Sequence, residues 1–406
     1  MSQYNSSYSN KIKQAWALTF ISFISFPKRA ISSLVTMCSI ACVAAVMLSV
    51  LAMTEGMMKT LERTGLDNTI LVMRAGAVSE IQSVMFPMEV NLLKNHQQVL
   101  RDEQGQSLVS AEMFVNAEYK VADSRGAINS QSLALRGISN STYRFRPNFQ
   151  LVTGKKFNTG VRELIIGQAI ARRMPELTVG SSVTLGGTQW EITGIFTDKN
   201  SVFESELWAD IGVLQSDYRR GTSVQSVRLA MNEGIDLEHL RKEWQADPRL
   251  NIRVTSEKAF FAEQGKNLTR LIRWIGFPVA IVMALGATIA ALNTMYSAIA
   301  ARSKAIATQK AMGFSPMAIS TAIISEALLL ALVGGLLGIL PLYVLFDGWT
   351  AATQDANNLS QIMFNFDIST TLISQTLLFS LAIGLLGGML PAVKAMRLPV
   401  TLALRD

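Results

Sequence analysis

Few side chains in this sequence are of a type and spacing that could do chemistry. Its two histidines, His96 and His239, stand far apart with no acid or cysteine at a useful interval. Its two cysteines, Cys38 and Cys42, lie about one helical turn apart inside an apolar run. A zinc site needs more ligands than either pair supplies, and a nucleophile needs a base within reach. Cys38 and Cys42 therefore read as small apolar fillers. The stretch Ser39-Ile40-Ala41-Cys42 is loosely like a lipidation box, but it lies deep in a long run behind the polar lead 1–29. That lead also argues against a cleaved signal peptide, whose charged region is short. No His-Glu-x-x-His, Gly-x-Ser-x-Gly or Gly-x-x-x-x-Gly-Lys-Ser/Thr pattern occurs, and Gly154-Lys155-Lys156 is only a fragment of a phosphate loop. Neither catalysis nor ATP binding is expected of this chain.

One ionisable group sits where burial is expensive. Glu326 is the sole charge in the apolar run Met317–Phe346, roughly 13 Å along it if helical. Such a group is paired or faces water. Proton coupling would need a second acid, a lysine or a histidine in the other runs, and none is there. A hydrogen bond to a neighbouring helix, through Asn293 or Ser325, is the expected role.

The elements that must position these groups are membrane helices. Charged residues make up only 17% of the chain, against about 25% in soluble domains, and the apolar ones gather in four uncharged or nearly uncharged runs. These are Ala30–Thr54, Trp274–Ala301, Met317–Phe346 and Ile368–Val393. The first would be about 37 Å long as a helix, enough to cross a hydrocarbon core of about 30 Å. Lys11, Lys13, Lys28 and Arg29 precede the first run, and Arg302, Lys304 and Lys310 separate the second from the third. Lys394, Arg397 and Arg405 follow the fourth, against Asp406 alone. Between the third and fourth lie only acids, Asp347, Asp355 and Asp367. The positive-inside rule then places both termini and residues 301–316 in the cytoplasm, and 347–367 outside. The net charge of +7 is explained by these flanks, so nucleic acid is not an expected partner.

The predicted fold is thus four transmembrane α-helices with a large α+β extracytoplasmic domain between helices 1 and 2. The segments are a cytoplasmic lead 1–29, helix 1 over 30–54, the outside domain over 55–267, a stalk with helix 2 over 268–300, and a cytoplasmic loop 301–316. Helix 3 over 317–346, a short outside loop 347–367, helix 4 over 368–393 and a cytoplasmic tail 394–406 complete it. In the outside domain, Thr69–Met73 and Gln131–Arg136 read as strands. Ser182–Leu185 and Thr188–Ile192 around Gly186-Gly187 read as a hairpin, and Gly167–Arg173 and Asp236–Trp244 as short helices. From Ser256 the apolar residues recur at helical spacing into the second run. This predicts either one helix of roughly 67 Å with a bend at Pro278, or a separate interfacial helix carrying Arg270 and Arg273.

Two apolar blocks echo one another, Gly334–Pro341 and Gly384–Pro391, each with a Gly-x-x-x-Gly pair. Gly334/Gly338 and Gly384/Gly388 let helix backbones approach closely, within the chain or against a second one. The loop Ala301–Pro316 reads as a short basic helix with Lys310 in its last turn and Gly313 as C-cap. It fits a connector lying on anionic lipid or a docking element for a cytoplasmic partner.

At this loop a family resemblance emerges. Ala301-Arg302-Ser303-Lys304, Gln309-Lys310-Ala311-Met312-Gly313, Ser325-Glu326-Ala327-Leu328 and Gly334–Gly338 resemble the permease signature of the MacB/FtsX-type ABC transporters. Leu390–Ala395 with Pro399 and Ala403-Leu404-Arg405 is similar to that family's C-terminal tail. Leu135–Gly137, Gly154–Phe157, Leu164–Gly167 and Gly194–Phe196 resemble its periplasmic core domain. The resemblance implies a permease subunit of the bacterial inner membrane, without its own cofactor, that pairs with a second permease copy in a homo- or heterodimer. It also implies a cytoplasmic ABC ATPase holding ATP and Mg, contacts with membrane lipid, and a periplasmic adaptor as a further candidate partner. The ATPase would meet Arg302, Lys304, Lys310, Met312, Gly313 and Phe314, and motion would pass through 256–300 to the outside domain. Two departures stand out: Ala305 occupies a position where the family carries an acid, and residues 1–29 hold no nucleotide-binding motif, unlike the fused ATPase of MacB. The rival roles are an FtsX-like regulator of a cell-wall hydrolase and a lipoprotein-releasing permease.

Overall fold

The computed structural model describes residues 30–122, 128–232, 234–354 and 361–399. Expectations placed on 1–29, Asp355, Ala403, Leu404, Arg405 and Asp406 lie outside the described residues. In chain order the elements begin with α1 (Ala30–Glu62), β1 (Thr69–Arg74), α2 (Pro87–Lys94), β2 (Val109–Ala122), β3 (Ile128–Ile138) and β4 (Gln150–Gly154). There follow β5 (Glu163–Gly167), α3 (Gln168–Arg173), β6 (Ser182–Leu185), β7 (Thr188–Thr197), β8 (Glu206–Asp210) and α4 (Ile211–Asp217). Next come β9 (Ser226–Ala230), α5 (Leu237–Ala246), β10 (Ile252–Ser256), α6 (Glu257–Ala301) and α7 (Ser303–Ala311). The chain closes with α8 (Pro316–Phe346), β11 (Thr350–Gln354), β12 (Gln361–Asn365) and α9 (Thr370–Arg397). They form two compact units: a core domain of Glu55–Arg270 with Gly348–Phe366, and a helical unit made of the rest.

In the core domain a mixed ten-stranded sheet runs β10-β1-β9-β2-β3-β8-β5-β7-β4, with β6 added to β7. The β6–β7 hairpin closes with Leu185 paired to Thr188, leaving Gly186 and Gly187 as the two turn residues. Both have positive φ, 59° and 82°, the backbone that a type I′ turn demands and glycine supplies without strain. One apolar cluster gathers Leu135, Leu164, Ile166, Trp190 and Leu207; a second gathers Val72, Val227, Leu240, Trp244 and Val254. α5 starts where Asp236 accepts backbone N–H bonds from Glu238 and His239.

Of the short outside loop expected over 347–367, the described residues 347–354 and 361–367 hold two strands. β11 and β12 pair over Thr350↔Asn365 to Gln354↔Gln361, and the hairpin belongs to the core domain. Met363 joins the first apolar cluster, and Ser205 Oγ both accepts from its backbone N–H (2.9 Å) and donates to its carbonyl (3.3 Å). The reason is local: Met363 and Phe364 are both buried to 2% exposure, a burial that a solvated loop would forgo.

Four helices, Ser33–Glu62, Glu257–Ala301, Pro316–Phe346 and Thr370–Arg397, are long and apolar enough to cross a membrane. The first runs on to Glu62, past the expected end at 54 and through Gly56, and the last runs on to Arg397, past 393, where Lys394 and Arg397 give a favourable basic last turn. Of the two readings of 256–300, the single helix is observed; it passes through Pro278. α8 and α9 start on serine caps, Ser315 accepting from Ala318 N–H and Ser369 from Leu372 N–H, with Pro316 at the first helical position of α8.

Candidate coupling site

α7 is built by its ends. The chain leaves α6 at Arg302, whose carbonyl already accepts from Ile306 N–H at 2.9 Å. At the other end Phe314 N–H reaches Gln309 O (3.1 Å) and Gly313 N–H reaches Lys310 O (3.0 Å), the bond pair of a Schellman stop. Gly313 takes φ of 92° there, which a residue with a Cβ adopts only under strain. Ile306 and Ala307 are buried; Ile306 packs with Ile299, Ile319, Ile323, Ala392 and Ala395, and Phe314 lies against the same cluster.

The six residues expected to meet an ATPase divide by geometry. Arg302 is turned inward: Nη1 donates to Glu326 Oε2 at 3.0 Å and Nη2 to Oε1 at 3.1 Å. The partner of Glu326 is therefore Arg302, rather than Asn293 or Ser325. Asn293 stands exposed on α6, and its side chain makes no hydrogen bond among the described residues. The physical reason is that α7 begins beside α8, and a bidentate guanidinium outcompetes a neutral amide for a carboxylate. Lys310 also points inward, its Nζ donating to Met396 O and Leu398 O at 2.8 Å each, and partial burial lowers its pKa. Lys304, Ala305, Thr308, Ala311, Met312 and Gly313 make up the exposed side of α7 and its cap. Met312 is 65% exposed, so Lys304 and Met312 are the charged and apolar groups a partner could grip.

The two glycine pairs lie in seams inside the helical unit. A Cβ on Gly334 would stand 2.9 Å from Met37 O, and one on Gly338 would press into Ala41 O, both on α1. Gly384 and Gly388 face Ala331 and Ala327 on α8.

The core domain holds a feature that the sequence reading did not single out, a buried network of three arginines and four glutamates. Arg136 on β3 donates to Glu206 (2.6 and 2.7 Å), to Glu80 (2.9 and 3.0 Å) and to Glu112 (2.8 Å). Arg228 on β9 bonds to Glu112, and to Glu257 at 2.7 Å; Arg146 also reaches Glu257, at 2.9 Å. Trp208 Nε1 and Ser226 Oγ donate to Glu206 and Glu80, and the Phe203 ring lies 4.0 Å from the Arg146 guanidinium. Glu257 is the first residue of α6, where a carboxylate also suits the helix dipole.

Burial alone would raise the pKa of Glu80, but Arg136 and Arg228 outweigh it and hold the group well below the usual range. Burial and the pair Arg146 and Arg228 act on Glu257 in the same opposed way, with a lowered pKa as the result. A carboxylate whose folded pKa is depressed adds stability above its unfolded value that is lost as pH falls toward the folded one. The melting temperature of the purified chain, followed by circular dichroism, is therefore expected to be level above about pH 5.5 and to fall steadily below about pH 4.5. A melt unchanged down to pH 3 (roughly one unit under the ordinary carboxylate value) would mean these groups are not folded as ions.

Residues 33–247 match the family described as the MacB-like periplasmic core domain, and residues 278–400 match the FtsX-like permease C-terminal family. The ABC transporter permease YknZ of Bacillus subtilis is 25% identical over 275 residues, which cover 62% of this chain and 64% of YknZ. The match thus spans less than two thirds of that relative's length. The periplasmic region of MacB from Actinobacillus actinomycetemcomitans aligns at 12% identity over 50% of this chain and 94% of its own, with a TM-score of 0.37. The extracellular domain of the YknZ transporter from Gram-positive bacteria aligns at 15% identity over 47% and 100%, with a TM-score of 0.35.

Proposed function

The chain belongs to the MacB/FtsX-type ABC transporter permeases, and from that premise we propose that it couples ATP hydrolysis by a separate cytoplasmic ATPase to export or extrusion of a substrate. In this reading it lies in the bacterial inner membrane with both termini cytoplasmic. It works beside a second permease copy and passes motion to the core domain. ATP and Mg are held by the ATPase, and an adaptor on the outer side completes the export route.

The observation that carries the reading is α7: a short helix stopped by Gly313, held from behind, with Lys304 and Met312 facing out. A docking element has to be rigid and must offer both charge and apolar surface, because interface anchors are apolar groups rimmed by charge. The test is purification of the tagged chain from native membranes, with Lys304→Glu plus Met312→Asp as the comparison. The wild type is expected to bring down an ABC ATPase in stoichiometric amount, and the double variant about tenfold less, as the loss of one interface anchor would give. A wild-type chain that comes out alone overturns the proposal.

A further inference from the structure

Glu326 lies within a span, where an unpaired carboxylate is costly. It is locked by two charged hydrogen bonds to Arg302, and the two side chains are 10% and 21% exposed. Each carboxylate oxygen accepts one guanidinium N–H, at 3.0 and 3.1 Å, a paired geometry that fixes the orientation of both side chains. Arg302 is the residue between α6 and α7. At the far end of α7, Lys310 bonds two carbonyls at the end of α9, groups that have no intrahelical donor. α7 is thus tied to α8 at its start and to α9 at its last turn, with Ile306 packed between the two ties.

We propose that Glu326 is a positioning residue for coupling: through Arg302 it sets the orientation of α7, so that the side bearing Lys304 and Met312 moves together with α8 and α9. Lys310 completes the latch. The role in coupling rests on the reading that α7 meets an ATPase; the latch itself does not. A pair that merely helped the bundle to fold would affect the spans as a whole. A positioning pair affects α7 and what α7 transmits.

The experiment uses the full chain in lipid nanodiscs, as Glu326→Gln, Arg302→Gln and the exchanged pair Arg302→Glu with Glu326→Arg. Hydrogen exchange of the 303–311 amides is expected to quicken about tenfold or more in each single variant, while the sheet of the core domain keeps its protection. Exchanging the two charges is expected to restore slow exchange. With the ATPase bound, Glu326→Gln is expected to keep the partner but to lose about tenfold of the permease-dependent hydrolysis, and the exchanged pair to recover it. Unchanged exchange at 303–311 in both single variants overturns the latch. Faster exchange with normal hydrolysis overturns its role in coupling. A wild type with no ATPase removes the functional reading and the coupling role, while the exchange data still decide whether the pair holds α7.

Discussion

Arg136→Met is expected to lower the melting temperature of the core domain by about 10–20 °C, or to leave it unfolded. Removing one partner of a buried ion pair costs about 3–5 kcal/mol, because the other is left charged and dry. Arg136 is 2% exposed and serves Glu80, Glu112 and Glu206 at once, so the cost belongs at the top of that range. For a domain of this size about 5 kcal/mol corresponds to that shift, against a total stability of about 5–15 kcal/mol. Lysine should not rescue it, since one ammonium cannot reproduce a planar fork bonded to three carboxylates. A milder loss is expected when Glu80 and Glu206 are made Gln in the same chain, because the surplus negative charge then goes with the arginine. Thermal melts by circular dichroism, backed by limited proteolysis, read the effect. A single variant that melts within about 2 °C of wild type, a shift worth under 1 kcal/mol, would mean the carboxylates are neutral or hydrated.

The network also shows where sequence reading stops. Its members Glu80, Glu112, Arg136, Arg146, Glu206, Arg228 and Glu257 are scattered over the core domain without a period, and each alone looks like an ordinary surface charge. Only the sheet order, which puts β9 beside β2 and β2 beside β3, brings them together. The spans are legible because a soluble fold has no use for long uncharged runs flanked by lysine and arginine. The β6–β7 turn and the Gly313 stop are legible because both need a positive φ that glycine supplies. Glu326 stands out in the sequence as a costly charge, yet its partner does not. Arg302 lies 24 residues earlier, in the loop that leads into the span, and the family resemblance points it outward, to the ATPase. Direction is hidden until the chain folds back: a basic residue in a loop has the same sequence signature whether it faces a partner or its own bundle.

The seams between spans lead to the second large effect. Gly338→Leu is expected to destabilise the helical unit by about 1–3 kcal/mol or more, whereas Gly286→Leu should leave it unchanged. Both are glycines inside spans, so the difference isolates packing from helix propensity. A Cβ on Gly338 would meet the Ala41 carbonyl oxygen and lie 3.0 Å from Ala44 Cβ, while one on Gly286 meets nothing within 4 Å. The obstacle at Gly338 is backbone of α1, which cannot rotate aside as a side chain would, so α1 and α8 must part. In lipid no hydrophobic drive brings them back, because the tails are as apolar as the helices and association depends on close contact. The fraction of each variant that stays monodisperse after heating in detergent measures this, with Gly384→Leu, facing Ala331 on the α8–α9 seam, expected to behave like Gly338→Leu. If Gly338→Leu proved as stable as Gly286→Leu, the α8 glycines would not be used within the chain, and their close-packing surface would belong to a neighbouring copy.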